Sequence, residues 1–274
     1  GHGRIHRGVA QSGQGRLSAA EIPNQRQELI HASLRTERFI GLLAGGSPKA
    51  SQATIARGNL IGTNKLGTAA VPNVWGYSSG GCNSGNATVQ FGGSTAAERN
   101  VISGNQSVGI FIFGGGSGCG TYTSTSSFIK GNYIGTDVTG TQPLGNGQAG
   151  VHIGAGPNFF VGGPAPGEGN LIAYNGLQGV VAVQDSIAQG IRILGNRIHS
   201  NGALGIDLWG ASGVTANDPG DVDTFRQNFP VITSASTGAG NATLSGTLNS
   251  AANTAYRIEF FANATCDAAG NGEG

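Results

Sequence analysis

The sequence predicts an all-β chain: a right-handed parallel β-helix, wound as a solenoid, followed by the first strands of an Ig-like β-sandwich. Three observations predict it. A short motif, Asn-x-Ile/Val-x-x-Asn/Asp, occurs five times. A second motif, Asn-x-x-x-Gly-Ile/Val, follows at a fixed distance in most of the repeats. The composition, 51 glycines in 274 residues with 11% charged side chains, supplies many tight turns between short strands. That glycine content without a Gly-X-Y period excludes collagen. A net charge of +1 and frequent Ile, Val and Thr argue against disorder.

The first motif begins at Asn59, Asn100, Asn132, Asn170 and Asn196, giving coils of 41, 32, 38 and 26 residues. The second runs from Asn105 to Ile110, Asn146 to Val151, Asn175 to Val180 and Asn201 to Ile206. A longer echo overlies both. Gly92-Gly93, Glu98 and Asn100 return 70 residues later as Gly162-Gly163, Glu168 and Asn170. Asn59-Leu-Ile-Gly-Thr returns as Asn132-Tyr-Ile-Gly-Thr, so two coils form one super-repeat.

Each coil reads as three short strands. The first is Asn-x-Ile. The second is Gly-Ile/Val-x-apolar, as in Gly150-Val-His-Ile153. The third is less regular: Phe128-Ile129, Phe159-Phe160-Val161, Ile191-Arg-Ile193. Period-2 alternation places Ile102, Ile134, Ile172 and Ile198 on one face, where stacking turns them into an apolar column. Asn100, Asn132, Asn170 and Asn196 share that parity and are expected to form an amide ladder, each bonded to the next. Gly109, Gly150, Gly179 and Gly205 are expected at bends that require a positive φ.

The motifs Asn132-Tyr-Ile-Gly-Thr-Asp-Val-Thr-Gly-Thr and Asn196-Arg-Ile-His-Ser-Asn-Gly-Ala-Leu-Gly-Ile-Asp-Leu resemble those of the right-handed parallel β-helix repeat proteins of bacterial cell surfaces. The resemblance covers about residues 59–233. It implies a secreted or surface-attached module of a large multidomain parent, with adhesion or carbohydrate binding as its work. It also keeps an alternative open, because some relatives of this fold are polysaccharide lyases or glycoside hydrolases.

Residues 1–57 match none of the repeats, residues 58–233 hold the β-helix, and residues 234–274 change character again. The first segment carries 8 of the 15 Lys and Arg residues. Ser18 and Glu21 make a capping-box pattern ahead of Ile22, Leu29, Ile30 and Leu34, which suits a helical lid over the solenoid's open end. The other reading is poorly ordered sequence. In the last segment, Ala242–Leu248 and Tyr256–Phe261 alternate like strands of a sandwich. The lack of any Met, even at position 1, reads as a piece of a longer chain. No apolar run is long enough to span a membrane, and no basic stripe suits a nucleic acid. The expected state is a monomer.

Asp218, Asp221 and Asp223 lie in the turn Asn217-Asp-Pro-Gly-Asp-Val-Asp-Thr224, where an oxygen-rich ligand set would suit Ca²⁺. An Asp-rich solvated turn is the competing reading. Among outward positions of the second strand, Phe111, His152 and Asp207 fall on successive or alternate coils. His152 and Asp207 are two coils apart, roughly 10 Å by strand spacing, too far for a hydrogen-bonded acid–base pair. Phe111, Tyr133 and Trp209 could stack on sugar rings, or could be ordinary half-buried aromatics. The candidate ligand-binding set is therefore Phe111, Tyr133, His152, Asp207 and Trp209. Glu98 and Glu168 recur at equivalent positions, which marks them as parts of the repeat rather than of a catalytic site.

Cys82 and Cys119 lie in Gly/Ser-rich insertions of successive coils. Strands about 4.8 Å apart bring such insertions within the Cα separation that a disulfide spans. A Cys82–Cys119 bridge fits an oxidising compartment, and two free thiols are the other reading. Cys266 has no evident partner. Alkylation without reductant tests the pairing: Cys82 and Cys119 are expected to stay unlabelled until reduced, and labelling of both would exclude the bridge.

Overall fold

The computed structural model describes residues 40–44, 53–80, 88–113, 127–154, 158–183, 190–208, 213–222, 226–238 and 240–262. Cys82, Cys119, Trp209, Asp223, Cys266 and the expected helix between Ser18 and Leu34 lie outside them.

The strands visit three parallel sheets in rotation. Sheet II receives β1 (Ile40–Ala44), sheet III receives β2 (Ala53–Ala56) and sheet I receives β3 (Leu60–Ile61). The next circuit is β4 (Trp75–Gly80), β5 (Thr88–Gly92) and β6 (Val101–Ile102). The third is β7 (Ile110–Phe113), β8 (Phe128–Lys130) and β9 (Tyr133–Ile134). The fourth is β10 (Val151–Gly154), β11 (Phe160–Gly162) and β12 (Leu171–Ala173), and the fifth is β13 (Val180–Ala182), β14 (Arg192–Leu194) and β15 (Arg197–His199). A last strand, β16 (Ile206–Asp207), closes sheet II at six strands, beside five each in sheets I and III. Three sheets visited in rotation by parallel strands make a β-helix-like solenoid. β1 and β2 precede residue 58, so the winding takes in strands ahead of the first repeat.

The register is that of the repeats. Ile61, Ile102, Ile134, Ile172 and Ile198 are successive partners in sheet I. Ile102, Ile134 and Ile172 are fully buried. Ile110, Val151 and Val180 form the matching column of sheet II, and Phe91, Ile129 and Val161 that of sheet III. Each such side chain contributes roughly 1.5–3 kcal/mol by leaving water. In the sheet II column Tyr77 partners Ile110, and its ring lies against Phe91 at 4.7 Å between centroids.

Polar columns stand beside the apolar ones. The Nδ2 of Asn100 donates to Oδ1 of Asn132 at 2.8 Å, Asn132 to Asn170 at 3.0 Å, and Asn170 to Asn196 at 2.9 Å. A second ladder, at the other end of the Asn-x-Ile strand, runs Asn73, Asn105, Asn146, Asn175, Asn201 with bonds of 2.8–3.1 Å. Interior members use their whole amide. Asn170 Oδ1 accepts from both the backbone N–H and the Nδ2 of Asn132, while its Nδ2 donates to Ile129 O and Asn196 Oδ1.

The expected positive φ at Gly109, Gly150, Gly179 and Gly205 is corrected: none of the four has one. At Gly109, Gly150 and Gly179 glycine is required by proximity. A Cβ on Gly109 would lie 2.6 Å from the carbonyl oxygen of Gly150, and one on Gly150 would lie 2.8 Å from that of Gly179. Gly76 belongs to the same column, its Cβ position 2.5 Å from Gly109 O.

The super-repeat has a simple origin. The two ladder asparagines of one coil are five residues apart at Asn100/Asn105, Asn170/Asn175 and Asn196/Asn201, but fourteen apart at Asn59/Asn73 and Asn132/Asn146. The nine extra residues form an excursion over the outer face of sheet I. Each is pinched by an antiparallel bridge, Thr63 to Ala70 and Thr136 to Pro143. Its turn is held by Oδ1 of Asn64 accepting from the N–H of Leu66 and Thr68, or by Asp137 Oδ1 accepting from Thr141 and Gln142. Val138 N–H donates to Gly67 O at 2.9 Å, so the two excursions meet across the intervening coil. The outward residues Val101 and Leu171 are consequently buried.

The C-terminal region keeps part of its expected form, since the strand expected at Ala242–Leu248 is present as an antiparallel partner. β17 (Val231–Gly238) and β18 (Asn241–Thr247) pair antiparallel, and every side chain in both is exposed. Tyr256–Phe261, expected as a strand, has no strand pairing. It lies at the last coil instead: Glu259 Oε2 accepts from Gly195 N–H at 2.8 Å. Phe261 and Glu259 join Ile193, Ile198, Leu204 and Ile206 around a cavity of about 270 Å³. A segment with one apolar edge on the end of a core meets the same alternation as a sheet strand.

Replacing Asn170 by Ala orphans two donors of Asn132, its backbone N–H and one Nδ2 hydrogen, and removes the side-chain donor from Ile129 O, while Asn196 Oδ1 keeps the Asn170 backbone N–H. At roughly 1–3 kcal/mol for each of the two orphaned donors, the loss is about 2–6 kcal/mol. Urea unfolding should show it, with a much smaller loss for Ala at the half-buried first rung, Asn59. Equal losses would mean that the ladder contributes nothing beyond its position.

Candidate functional site

On the outer face of sheet II the side chain changes from rung to rung. The outward register runs Ser78, Phe111, His152, Val181, Asp207. Strand pairing sets the backbones in line, and the side chains follow the solenoid axis. Trp75 and Phe111 lie 5.9 Å apart between ring centroids, tilted by 33°. Phe111 and His152 lie 5.0 Å apart, edge to face at 86°. Val108, Ala149 and Val181 are buried beside them, with Trp75, Phe111 and Val183 partly buried against that group. An aromatic strip thus crosses three coils and leads into an apolar patch.

Asp207 ends the strip. Its expected outward exposure is corrected, since the residue is only 1% exposed. Gln178 Nε2 donates to its Oδ2 at 3.1 Å. Parity puts a side chain on the outer face, and what covers that face decides whether water reaches it. The imidazole of His152 feels two opposed influences. Burial, the larger, disfavours its charged form and lowers its pKa from the ordinary 6.5, while the charge of Asp207 acts the other way.

Tyr133 stands apart from this strip. It lies on the outer face of sheet I, with the Arg99 guanidinium 4.2 Å from its ring centroid and Gly140 of the second excursion packed on its edge. Such clamping suits a structural ring. Phe111 and His152 are therefore brought together, Asp207 lies two rungs further on, and Tyr133 is on another face. Trp75 belongs to the strip and was not legible, because the first coil carries Trp75-Gly-Tyr77 where later coils carry Gly-Ile/Val.

The carboxylates of Asp218 and Asp221 are engaged locally. Asp218 Oδ2 accepts from Val222 N–H at 3.0 Å. Asp221, with φ of 58°, accepts from Asn228 N–H at 2.9 Å and Gln227 Nε2 at 2.8 Å, and its Oδ2 takes the hydroxyl of Ser250. Asn228 Nδ2 donates to the carbonyls of Asp218 and Asn249. These bonds tie the turn to residues 226–229 and 249–250, a joint between solenoid and hairpin. Among the described residues no three His, Cys, Asp or Glu side chains gather into a metal-sized group. Asp223 lies outside the described residues.

Glu98 and Glu168 serve corners of the coil. Glu98 Oε2 accepts from Thr95 N–H at 3.3 Å, and its other oxygen meets Arg57 at 3.0 Å. Glu168 accepts from Ala165 N–H at 3.2 Å and pairs with Lys130 at 2.7 Å. The Lys130 contact holds the Glu168 carboxyl below its usual range. For the cysteines, the preceding strand ends Gly80 and Phe113 are register partners, so the two insertions leave adjacent strands side by side.

Among the described residues no helix is long and apolar enough to cross a membrane. The chain matches no protein-family model, no curated protein and no solved structure.

A lowered His152 pKa has a defined sign. The unfolded chain takes up the proton first as pH falls through about 6.5, so the folded state loses stability there, and the loss levels off below the folded pKa. Melting curves between neutral and mildly acidic pH should show the decline, and His152→Gln should flatten part of it. An unchanged profile in that variant would assign the dependence to other groups.

Proposed function

We propose that this chain is a structural or adhesive β-helix module exported to a bacterial surface, binding extended glycans or cell-surface polymers weakly. The observation that carries the reading is the Trp75–Phe111–His152 strip, three rings in successive contact on neighbouring coils. Flat aromatic faces suit the C–H surfaces of sugars, and a linear polymer laid across the coils meets one ring per coil. The rest of the frame suits a rod: ladders in register, few charges, and corner carboxylates engaged in turns. Parallel crossovers favour the right-handed sense of winding. The resemblance of the repeats to those of bacterial surface proteins supports export. We read β17 and β18 as the opening pair of an Ig-like sandwich. Covering of the last coil by residues 256–261 supports a monomer, since open sheet ends invite pairing between copies.

A glycan array, followed by titration of the best ligand, tests the reading. Losing two aromatic contacts of about 0.5–1.5 kcal/mol each should weaken binding roughly tenfold in the Trp75→Ala/Phe111→Ala double variant. Binding unaffected by both changes would move the ligand off this strip, and no binding at all would leave a plain spacer. Release of reducing sugar from polyuronides, abolished by Asp207→Ala, would replace the module reading with a polysaccharide-cleaving enzyme.

A further inference from the structure

Three of the five asparagines in the second ladder are followed by glycine: Asn146-Gly147, Asn175-Gly176 and Asn201-Gly202. Packing between coils demands those glycines. A Cβ on Gly147 would lie 2.1 Å from Gln106 O, one on Gly176 would lie 2.4 Å from Gly147 O, and one on Gly202 would lie 2.2 Å from Gly176 O. No side chain fits at such separations from backbone oxygen. The fold therefore requires asparagine for the ladder and glycine for the approach, and places them in sequence.

Asn-Gly is the dipeptide most open to intramolecular deamidation, since glycine offers no Cβ to hinder attack by its own nitrogen. We infer that these three pairs are latent deamidation sites, guarded by the folded ladder and opened from the last coil inward. In the reaction the Gly202 amide gives its proton to solvent base and its nitrogen bonds to Cγ of Asn201. The Cγ–Nδ2 bond breaks, and the amide nitrogen leaves as ammonia after taking up a proton. Water then opens the succinimide at either carbonyl, giving aspartate or isoaspartate.

Folding blocks this at both reacting groups. The attacking N–H is already committed: Gly147 donates to Asn105 O at 2.9 Å, Gly176 to Asn146 O at 2.8 Å and Gly202 to Asn175 O at 2.8 Å. The side-chain amides are held by their rungs, with Asn146 Nδ2 bonded to Ile102 O and Asn175 Oδ1. Reaction requires a coil to open. Asn201 sits in the last rung and is 6% exposed, against 1% for Asn146 and Asn175. A solenoid opens most readily at its ends, where a rung has fewer stacked neighbours. Conversion is one-way. A carboxylate at position 201 would set oxygen against the carbonyls of Ile172 and His199, to which Nδ2 now donates at 3.1 and 3.3 Å. The opened rung would not re-form as before.

The test is peptide mapping by mass spectrometry, with isoaspartate detection, after incubation of the full chain in mildly alkaline buffer with and without urea. In the folded protein Asn201 should convert first, with Asn146 and Asn175 slower by about tenfold or more. In urea the three should convert at similar rates, while Asn105, followed by Gln106 in the same ladder, stays intact over that period. Equal rates for the three in the folded protein, an intact Asn201 there, or conversion of Asn105 alongside them in urea would each overturn the inference. Glycan binding enters none of these readouts, so the inference and the functional reading fail independently.

Discussion

The side-chain amide of asparagine sets the geometry of this chain. Strands of two to four residues make up most of sheets I and III, far too short to specify register by backbone pairing alone. The ladders supply what such strands lack. An amide presents two donors and two acceptor sites on a short stem, and stacking at strand spacing lets each meet the next. Aspartate would place acceptor against acceptor. Glutamine would add a methylene that the buried corner must accommodate. Asn100 and Asn105 hold opposite ends of one strand, so Ile102 between them has a single place to go.

Full satisfaction of the amides also explains why glycine accompanies them. Coils close enough for side-chain amides to bond leave backbone too near for a Cβ at Gly109, Gly150 and Gly179. The two residue types are two consequences of one spacing. The excursions follow from the same constraint. The ladder fixes both ends of the Asn-x-Ile strand, so a coil can gain residues between them only by leaving the barrel wall, as residues 64–72 and 137–145 do.

What the sequence revealed was what recurs. The columns of Ile and Asn were readable because each coil restates them, and the parallel sheets follow from that alone. The glycine column was readable in position but not in cause, since a motif shows that glycine is needed and not whether φ or proximity needs it. Trp75 and Tyr77 were hidden by a coil that fills the same places with larger rings. The burial of Asp207, Val101 and Leu171 was hidden because strand parity assigns a face but not its covering. Tyr256–Phe261 misled for a related reason: alternation reports one apolar side, and the end of a solenoid offers such a surface as readily as a sheet does.

The contrast between columns bears on function. The core cluster is built of Ile, Val, Ala, Tyr and Phe and the ladders of Asn, because a change in one rung is felt by both neighbours. Glu98, Glu168 and Asp137 are likewise bound to corners and turns. On the outer face of sheet II the same register holds Ser78, Phe111, His152, Val181 and Asp207, five residue types in five rungs. Stacking asks nothing of that column, so its composition is free to answer to something else. A face that the winding leaves unconstrained, and that still gathers Trp75, Phe111 and His152 into contact, is where selection other than folding would leave its mark.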